Sequence, residues 1–269
     1  MKDIKAIFCD LDGTLLTSKD AAADSTIKVV KKLKESGILF GVATGREVES
    51  SEAKYASWGI DGIVDMFVGY NGGQLKDYEL NVFEEIHPLS GETIRCIIDT
   101  FDDLNVNFCC TVNTKVMLLK DDVPGRRMCE KDHLSFGFMS KDEMCSQARG
   151  KIMIICEESM MDKVIERGKL TSSNQYNSMR TAPFLYEFIN SNISKASGLK
   201  RIMEKRGWNI DNLMVFGDED NDYEMISESG VGVAMRNGCD RVKNIADYIT
   251  DYDNNHDGIA DFLSKYFKL

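Results

Sequence analysis

Positive charge, histidine, proline and long apolar runs are all scarce in this chain, and each scarcity removes a class of function. Thirty-three lysines and arginines face 44 aspartates and glutamates, a net charge of -11. That excludes a broad basic surface for nucleic acid, while a few local cations and a metal can still receive a small anion. The three histidines, His87, His133 and His256, stand far apart, and none of the eight cysteines forms a C-x-x-C pair. A zinc cluster is therefore not expected, and thiols in a reducing cytoplasm are. No uncharged apolar run approaches the length needed to cross a bilayer. The opening residues do not read as a signal peptide, so a cytoplasmic protein is expected. The three prolines, Pro88, Pro124 and Pro183, all fall in the middle of the chain.

What is abundant is a β/α rhythm at both ends. The apolar run Ile4 to Phe8 leads into Asp10-Leu11-Asp12-Gly13-Thr14. A helix is predicted over Ser25 to Ser36, with Ile27, Val30 and Leu33 at helical spacing, Asp24 or Ser25 as cap and Gly37 as stop. Ile38 to Ala43 reads as a buried strand ending at Thr44-Gly45-Arg46, followed by a helix over Glu47 to Trp58. Met66 to Gly69 reads as a third strand, ending at the turn signal Asn71-Gly72. From Val82 to Phe184 the rhythm is less regular. The β/α pattern returns after Glu187, with a helix over Ser194 to Arg206 and strands over Leu213 to Phe216, Val231 to Ala234 and near Tyr248. The expected fold class is α/β: a Rossmann-like parallel-sheet core from residues 1–82 and 187–269, with residues 83–186 as an inserted α+β domain.

In a parallel sheet the carboxyl ends of the strands share one edge, and ligands bind there. Three strands end in polar clusters: Asp10 and Asp12, Thr44 and Arg46, and Asp218 with Asn221 and Asp222. Each alone could be only a turn. Two carboxylates placed two residues apart repel unless a cation neutralises them, and Mg²⁺ is the hard cation that suits oxygen ligands. Asp10 is expected as nucleophile and Asp12 as acid/base partner. Asp218 is expected as a metal ligand. Lys195 stands at a helix start, where a cation opposes the macrodipole, so a nearby anion would explain it. Thr44 offers a hydroxyl and backbone N–H groups that suit a phosphoryl oxygen.

Together, Asp10-Leu11-Asp12-Gly13-Thr14-Leu15-Leu16, Ala43-Thr44-Gly45-Arg46, Ser194-Lys195 and Gly217-Asp218-x-x-Asn221-Asp222 resemble the four motifs of the haloacid dehalogenase superfamily. Val233-Ala234-Met235-Arg236-Asn237-Gly238 and Asn254-Asn255-His256-Asp257-Gly258-Ile259-Ala260 resemble its Cof-type branch. The resemblance implies a cap inserted after the third strand that closes over the site and chooses the leaving group. It also implies an Asp10 aspartyl-phosphate, with proton transfer by Asp12. Mg²⁺ would be held by Asp10, Asp218 and the backbone carbonyl of Asp12, with Asp222 in support. Thr44 and Lys195 would bind phosphoryl oxygens, and Asn221 would orient the phosphate or Lys195. Arg46 would contact substrate or pair with a core acid, and Gly45, Asn71 and Gly72 would lie near the substrate. Arg126, Arg127, Lys151 and Arg180 are cap candidates for an anionic or polyhydroxyl ligand. The expected activity is a Mg²⁺-dependent phosphatase acting on a small phosphorylated metabolite. A phosphomutase with the same nucleophile is the alternative. A receiver-type signalling domain also joins Asp, Thr, Lys and Mg²⁺, but the Asp-x-Asp-Gly-Thr order and the inserted domain stand against it.

Overall fold

The computed structural model describes residues 2–131, 134–171 and 174–269; His133 lies outside them. Two compact units emerge, residues 2–86 with 193–269, and residues 87–131, 134–171 and 174–192.

The first unit begins with β1 (Ala6–Cys9), α1 (Asp24–Glu35) and β2 (Leu39–Ala43). Next come α2 (Val48–Glu52), α3 (Tyr55–Trp58), β3 (Met66–Gly69), β4 (Gln74–Asp77) and β5 (Val82–Glu85). The expected helix over Glu47 to Trp58 is thus two short helices. Ser50 and Ser51 donate their hydroxyls to the Glu47 carbonyl, the latter at 2.6 Å, a local bond that competes with regular helix geometry. Helix α1 starts at Asp24, and neither Asp24 nor Ser25 caps it. Ala23 holds the cap position without a side-chain bond.

The second unit runs through α4 (Gly91–Thr100), β6 (Asn107–Val112), β7 (Lys115–Leu118), α5 (Val123–Lys131), β8 (Phe136–Phe138) and α6 (Lys141–Met144). It closes with β9 (Lys151–Ile155), α7 (Glu158–Leu170), β10 (Tyr176–Ala182) and β11 (Leu185–Asn190). Its sheet order is β10-β11-β9-β6-β7-β8, antiparallel except between β7 and β8. Alternate residues face opposite sides of the sheet. Phe108, Ile152, Ile154 and Phe188 pack under α4 and α7, whereas Cys109, Leu118, Met153 and Ile155 meet Met128 and Cys129 of α5.

The chain returns to the first unit with α8 (Lys195–Lys205), β12 (Leu213–Gly217), α9 (Tyr223–Glu228), β13 (Val231–Ala234), α10 (Asp240–Lys243), β14 (Tyr248–Ile249) and α11 (Gly258–Phe267). The eight strands lie in the order β14-β13-β12-β1-β2-β3-β4-β5. Pairing is parallel from β14 to β3 and antiparallel from β3 to β5. In β1, Ile7 and Cys9 join one core with α1 and α11, while Ala6 and Phe8 join the other with α8 and α9. Burial on both faces is why these strands read as unbroken apolar runs. The β4–β5 hairpin carries Gln74, Lys76, Asp77, Glu84 and Glu85, so its sequence gives no such run. Pairing of β5 to β4 keeps Val82–Glu85 with the first sheet, the Ile86 N–H donates to the Gly73 carbonyl, and β11 belongs to the second sheet. The division between units therefore falls at Ile86/His87 and Asn192/Ile193, a few residues beyond the expected 82/83 and 186/187. Among the described residues no helix is long and apolar enough to cross a membrane.

Candidate active site

The parallel register sets the site. Asp10 follows β1 directly, and its N–H donates to the Phe216 carbonyl of β12 at 3.0 Å. Thr44 follows β2 and donates its N–H to the Val68 carbonyl of β3 at 2.9 Å. Asp218 follows β12. All three stand at the same sheet edge and are buried.

Lys195 is the first residue of α8, with Ser194 as N-cap. It is 1% exposed, and its Nζ donates to Oδ1 of Asp10 and to Oδ1 of Asp222, both at 2.6 Å. Two buried carboxylates thus offset the unfavourable place of a cation at a helix N-terminus. Burial pushes the Lys195 ammonium down, but Asp10 and Asp222 outweigh it, and the net direction is upward. Asp222 is saturated from its other side: its Oδ2 accepts from the N–H groups of Asp218 at 2.8 Å and Glu219 at 3.0 Å. It fixes the acidic loop and Lys195 together.

Asp10, Asp218 and Asp222 bring carboxylate oxygens within 4.8 Å of one another. Burial lifts the Asp10 carboxyl to about 8, with Asp222 and Asp218 adding to the rise and Lys195 opposing it. Burial likewise lifts Asp218 to about 6, although the Thr14 hydroxyl donates to its Oδ1 at 2.6 Å. Three carboxylates face one ammonium, which leaves two negative charges when all are ionised. A divalent hard cation fits that donor set in charge and in oxygen chemistry. Oδ1 of Asp10 accepts from Lys195 and Oδ1 of Asp218 from Thr14, and each carboxylate has lone pairs left for a cation. Gly13, at φ +83°, is required here: a Cβ would overlap the Asp218 carboxylate.

Asp12 stands apart from that cluster. Its side chain is 57% exposed and is clasped by Arg46, Nε to Oδ2 at 2.9 Å and Nη2 to Oδ1 at 2.6 Å. Of the two roles expected for Arg46, pairing with a core acid is the one observed. The guanidinium lies 5.4 Å from the centre of the Trp58 ring, a cation–π platform. The Asp12 hydrogen bond raises the Arg46 pKa, so the pair is charged on the basic side throughout.

Tyr70, Asn71 and Gly72 carry three successive positive φ values, 48°, 54° and 111°. A non-glycine residue held there stores strain of about 1–3 kcal/mol. The bend places buried Asn71 so that its Oδ1 accepts from Asn221 Nδ2 at 3.1 Å, while its N–H donates to the Thr44 carbonyl. Gly72 abuts the Ser194 carbonyl, where any side chain would collide. Gly45 faces the Asn71 amide, 3.2 Å from where a Cβ would sit. Asn71, Gly72 and Gly45 therefore tie Thr44, Asn221 and the α8 N-terminus together.

In the second unit, Arg126 pairs with Asp121, Arg127 with Glu157 at 3.3 Å and Arg180 with Glu158 at 3.7 Å, all on exposed side chains. Lys151 differs. It and Glu187 are each 10% exposed and bonded at 3.2 Å. Sequence reasoning missed three contributors to the core site: Thr14 on Asp218, Trp58 beneath Arg46, and Asn237, whose Nδ2 donates to the Gly13 carbonyl at 2.7 Å. Thr14 lies inside the first motif and could have been named from it. Trp58 gave only a helical apolar signal.

Known proteins resemble this chain along most of its length. Residues 7–263 match the model of the haloacid dehalogenase-like hydrolases. A 5-amino-6-(5-phospho-D-ribitylamino)uracil phosphatase of Bacillus subtilis is 31% identical over 258 residues, 96% of this chain and 94% of its own length. A second Bacillus subtilis phosphatase of the same name is 29% identical over 273 residues, 98% of this chain and 97% of its own. Among solved structures, a haloacid dehalogenase-like hydrolase from Bacteroides thetaiotaomicron superposes with a TM-score of 0.84 at 23% identity, covering 98% of this chain and all of that one.

Proposed function

For a chain that belongs to the haloacid dehalogenase-like hydrolases and is a Cof-type phosphatase among them, we propose Mg²⁺-dependent hydrolysis of small phosphomonoesters through an aspartyl-phosphate on Asp10. The observation that carries this reading is the meeting of Asp10, Lys195, Asp218 and Asp222 at one buried sheet edge. Mg²⁺, held by Asp10 and Asp218 with the Asp12 carbonyl and Asp222 in support, would supply positive charge against the phosphoryl oxygens.

The chain's own residues do the rest. Lys195 is held between two carboxylates, so its charge is fixed in direction and ready for a phosphoryl oxygen without reorganisation. Thr44 is held by its backbone bond to Val68 and offers its hydroxyl to another. An Asp10 carboxylate oxygen forms the new bond to phosphorus as the ester oxygen leaves, taking a proton from Asp12. Water then attacks the phosphoryl group, Asp12 takes the water's proton, and the bond to Asp10 breaks to release inorganic phosphate. Asp12 lies outside the acid cluster and is exposed, and both steps require its carboxyl to leave the Arg46 clasp and carry the proton when substrate binds. Substrate choice is assigned to the inserted unit. The Bacillus subtilis relatives make a phosphorylated ribitylaminouracil the first candidate, and sugar phosphates, as other small phosphomonoesters, complete the panel.

The test is phosphate release from 4-nitrophenyl phosphate and from that candidate panel, with and without Mg²⁺. Activity should require the cation and fall by roughly a thousandfold or more in Asp10→Asn. Wild-type turnover in that variant would remove the nucleophile assignment. Phosphate that stays on a sugar product, with none released, would point to a mutase instead.

A further inference from the structure

Two stretches near the end of the chain, Met235 to Gly238 and Asn254 to Gly258, take no part in the steps above, yet their side chains reach back to the segment that follows Asp12. That segment has little structure of its own. Between β1 and α1 it forms isolated bridges, Asp12 with Leu16 and Leu16 with Ala22, and close turns in which the N–H groups of Leu15, Leu16, Thr17 and Asp20 donate to the carbonyls of Asp10, Leu11, Ala21 and Thr17. Arg46, Asp218 and Trp58 hold it at Asp12, Thr14 and Ala22, and further bonds come from over 220 residues away. Asn237 Nδ2 donates to the Gly13 carbonyl at 2.7 Å, and Asn254 Nδ2 donates to the Leu16 carbonyl at 2.7 Å. The two asparagines are chained, since the Asn254 N–H donates to Asn237 Oδ1 at 3.2 Å. Further along, the Ser18 N–H donates to Asn255 Oδ1 at 2.8 Å, and the Ser25 hydroxyl donates to Asp257 Oδ1 at 2.5 Å. Asp257 itself is held at φ 62° at the entry to α11, a strained conformation that sets the direction of the whole loop.

The position of these bonds is informative. Gly13 is the residue after Asp12, and a bond to its carbonyl fixes the Gly13–Thr14 peptide plane, one residue beyond Asp12. Leu16 is the bridge partner of Asp12. Held at both points, the turn fixes the backbone from which the Asp12 side chain projects, and Arg46 holds the carboxyl itself. Serine would be too short to donate to these carbonyls from the same backbone, and a carboxylate has no proton to give.

We infer that Asn237 and Asn254 form a clamp that positions the Asp12 carboxyl for proton transfer to the leaving group. They act through the Gly13–Leu16 turn and are positioning residues, not catalytic ones. The inference rests on the reading of Asp12 as acid/base. A misaimed acid harms substrates in proportion to how much the leaving oxygen needs a proton. An alkoxide needs one, whereas 4-nitrophenolate leaves without it.

The experiment compares kcat/KM, which covers only the steps up to departure of the leaving group, for an alkyl phosphate and for 4-nitrophenyl phosphate. Asn237→Ala, Asn254→Ala, the double variant and Asp12→Asn are measured beside wild type, with Tm for each. Asn237→Ser and Asn254→Ser, which remove less volume, serve if an alanine variant does not fold. The expected result is a fall of about tenfold or more for the alkyl ester and under threefold for the aryl ester. Because the two residues act as one unit, the double variant should lose little more than the worse single one. Equal falls for both esters, or none for either, would overturn the clamp. An Asp12→Asn variant that leaves the alkyl-to-aryl ratio unchanged would instead overturn the role of Asp12. A ratio that moves in Asp12→Asn and not in the asparagine variants sinks the clamp alone.

Discussion

Replacing Asp218 with asparagine should stabilise the metal-free protein while destroying its response to metal. Asp218 is 6% exposed, and burial raises its carboxyl from 3.8 to about 6, with Asp222 and Glu219 adding to the rise. A carboxyl raised in the folded state binds protons that the unfolded chain has released. Stability therefore falls as pH climbs from about 4 to about 6, and stays lower above that. The rise corresponds to about 3 kcal/mol once the group is ionised. Asparagine keeps the size of the side chain and an oxygen for the Thr14 hydroxyl, but cannot ionise. In chelator at pH 8, Asp218→Asn should melt roughly 6–12 °C above wild type, and the gap should close towards pH 4. Mg²⁺ at 1,000 times its Kd should reverse the order, since it adds about 4.1 kcal/mol to the wild type and far less to the variant. The chain's two tryptophans, Trp58 and Trp208, both belong to the first unit, so tryptophan fluorescence follows that unit alone. A variant no more stable than wild type at pH 8, or a gap independent of pH, would refute the electrostatic account.

Other expectations concern the groups around that acid. Lys195→Met leaves Asp10 and Asp222 buried without their cation, and urea titration at pH 8 should show a loss of about 3–5 kcal/mol. The loss should shrink at pH 5, where Asp10, raised to about 8 even with the lysine present, is protonated. Gly13→Ala forces an L side chain to φ +83° and into the Asp218 carboxylate. It should cost at least about 1–2 kcal/mol and reduce the Mg²⁺-induced rise in melting temperature, which thermal melts with and without the cation would measure.

The sequence by itself determined the strands β1, β2, β3, β12 and β13, because burial on both faces leaves a local apolar signature. It also determined that polar clusters end those strands and that a differently patterned segment interrupts the β/α rhythm. Those are properties of neighbouring residues. Strand β4, with Gln74, Lys76 and Asp77, earned its place by pairing against β3, which no local pattern announces. The break between α2 and α3 came from serine hydroxyls bonding back to Glu47. Only the tertiary structure decided which charges meet. Lys195 reaches Asp10 across 185 residues, and Thr14 reaches Asp218 across 204, distances over which sequence spacing says nothing and strand register says everything. The same holds for Arg46, whose choice of Asp12 and seat on Trp58 depend on the turn after β2 and the course of α3. The asymmetry between Asp10 and Asp12, two residues apart in the chain, follows from that placement: one is buried against a cation and two acids, the other is exposed and clasped by a guanidinium.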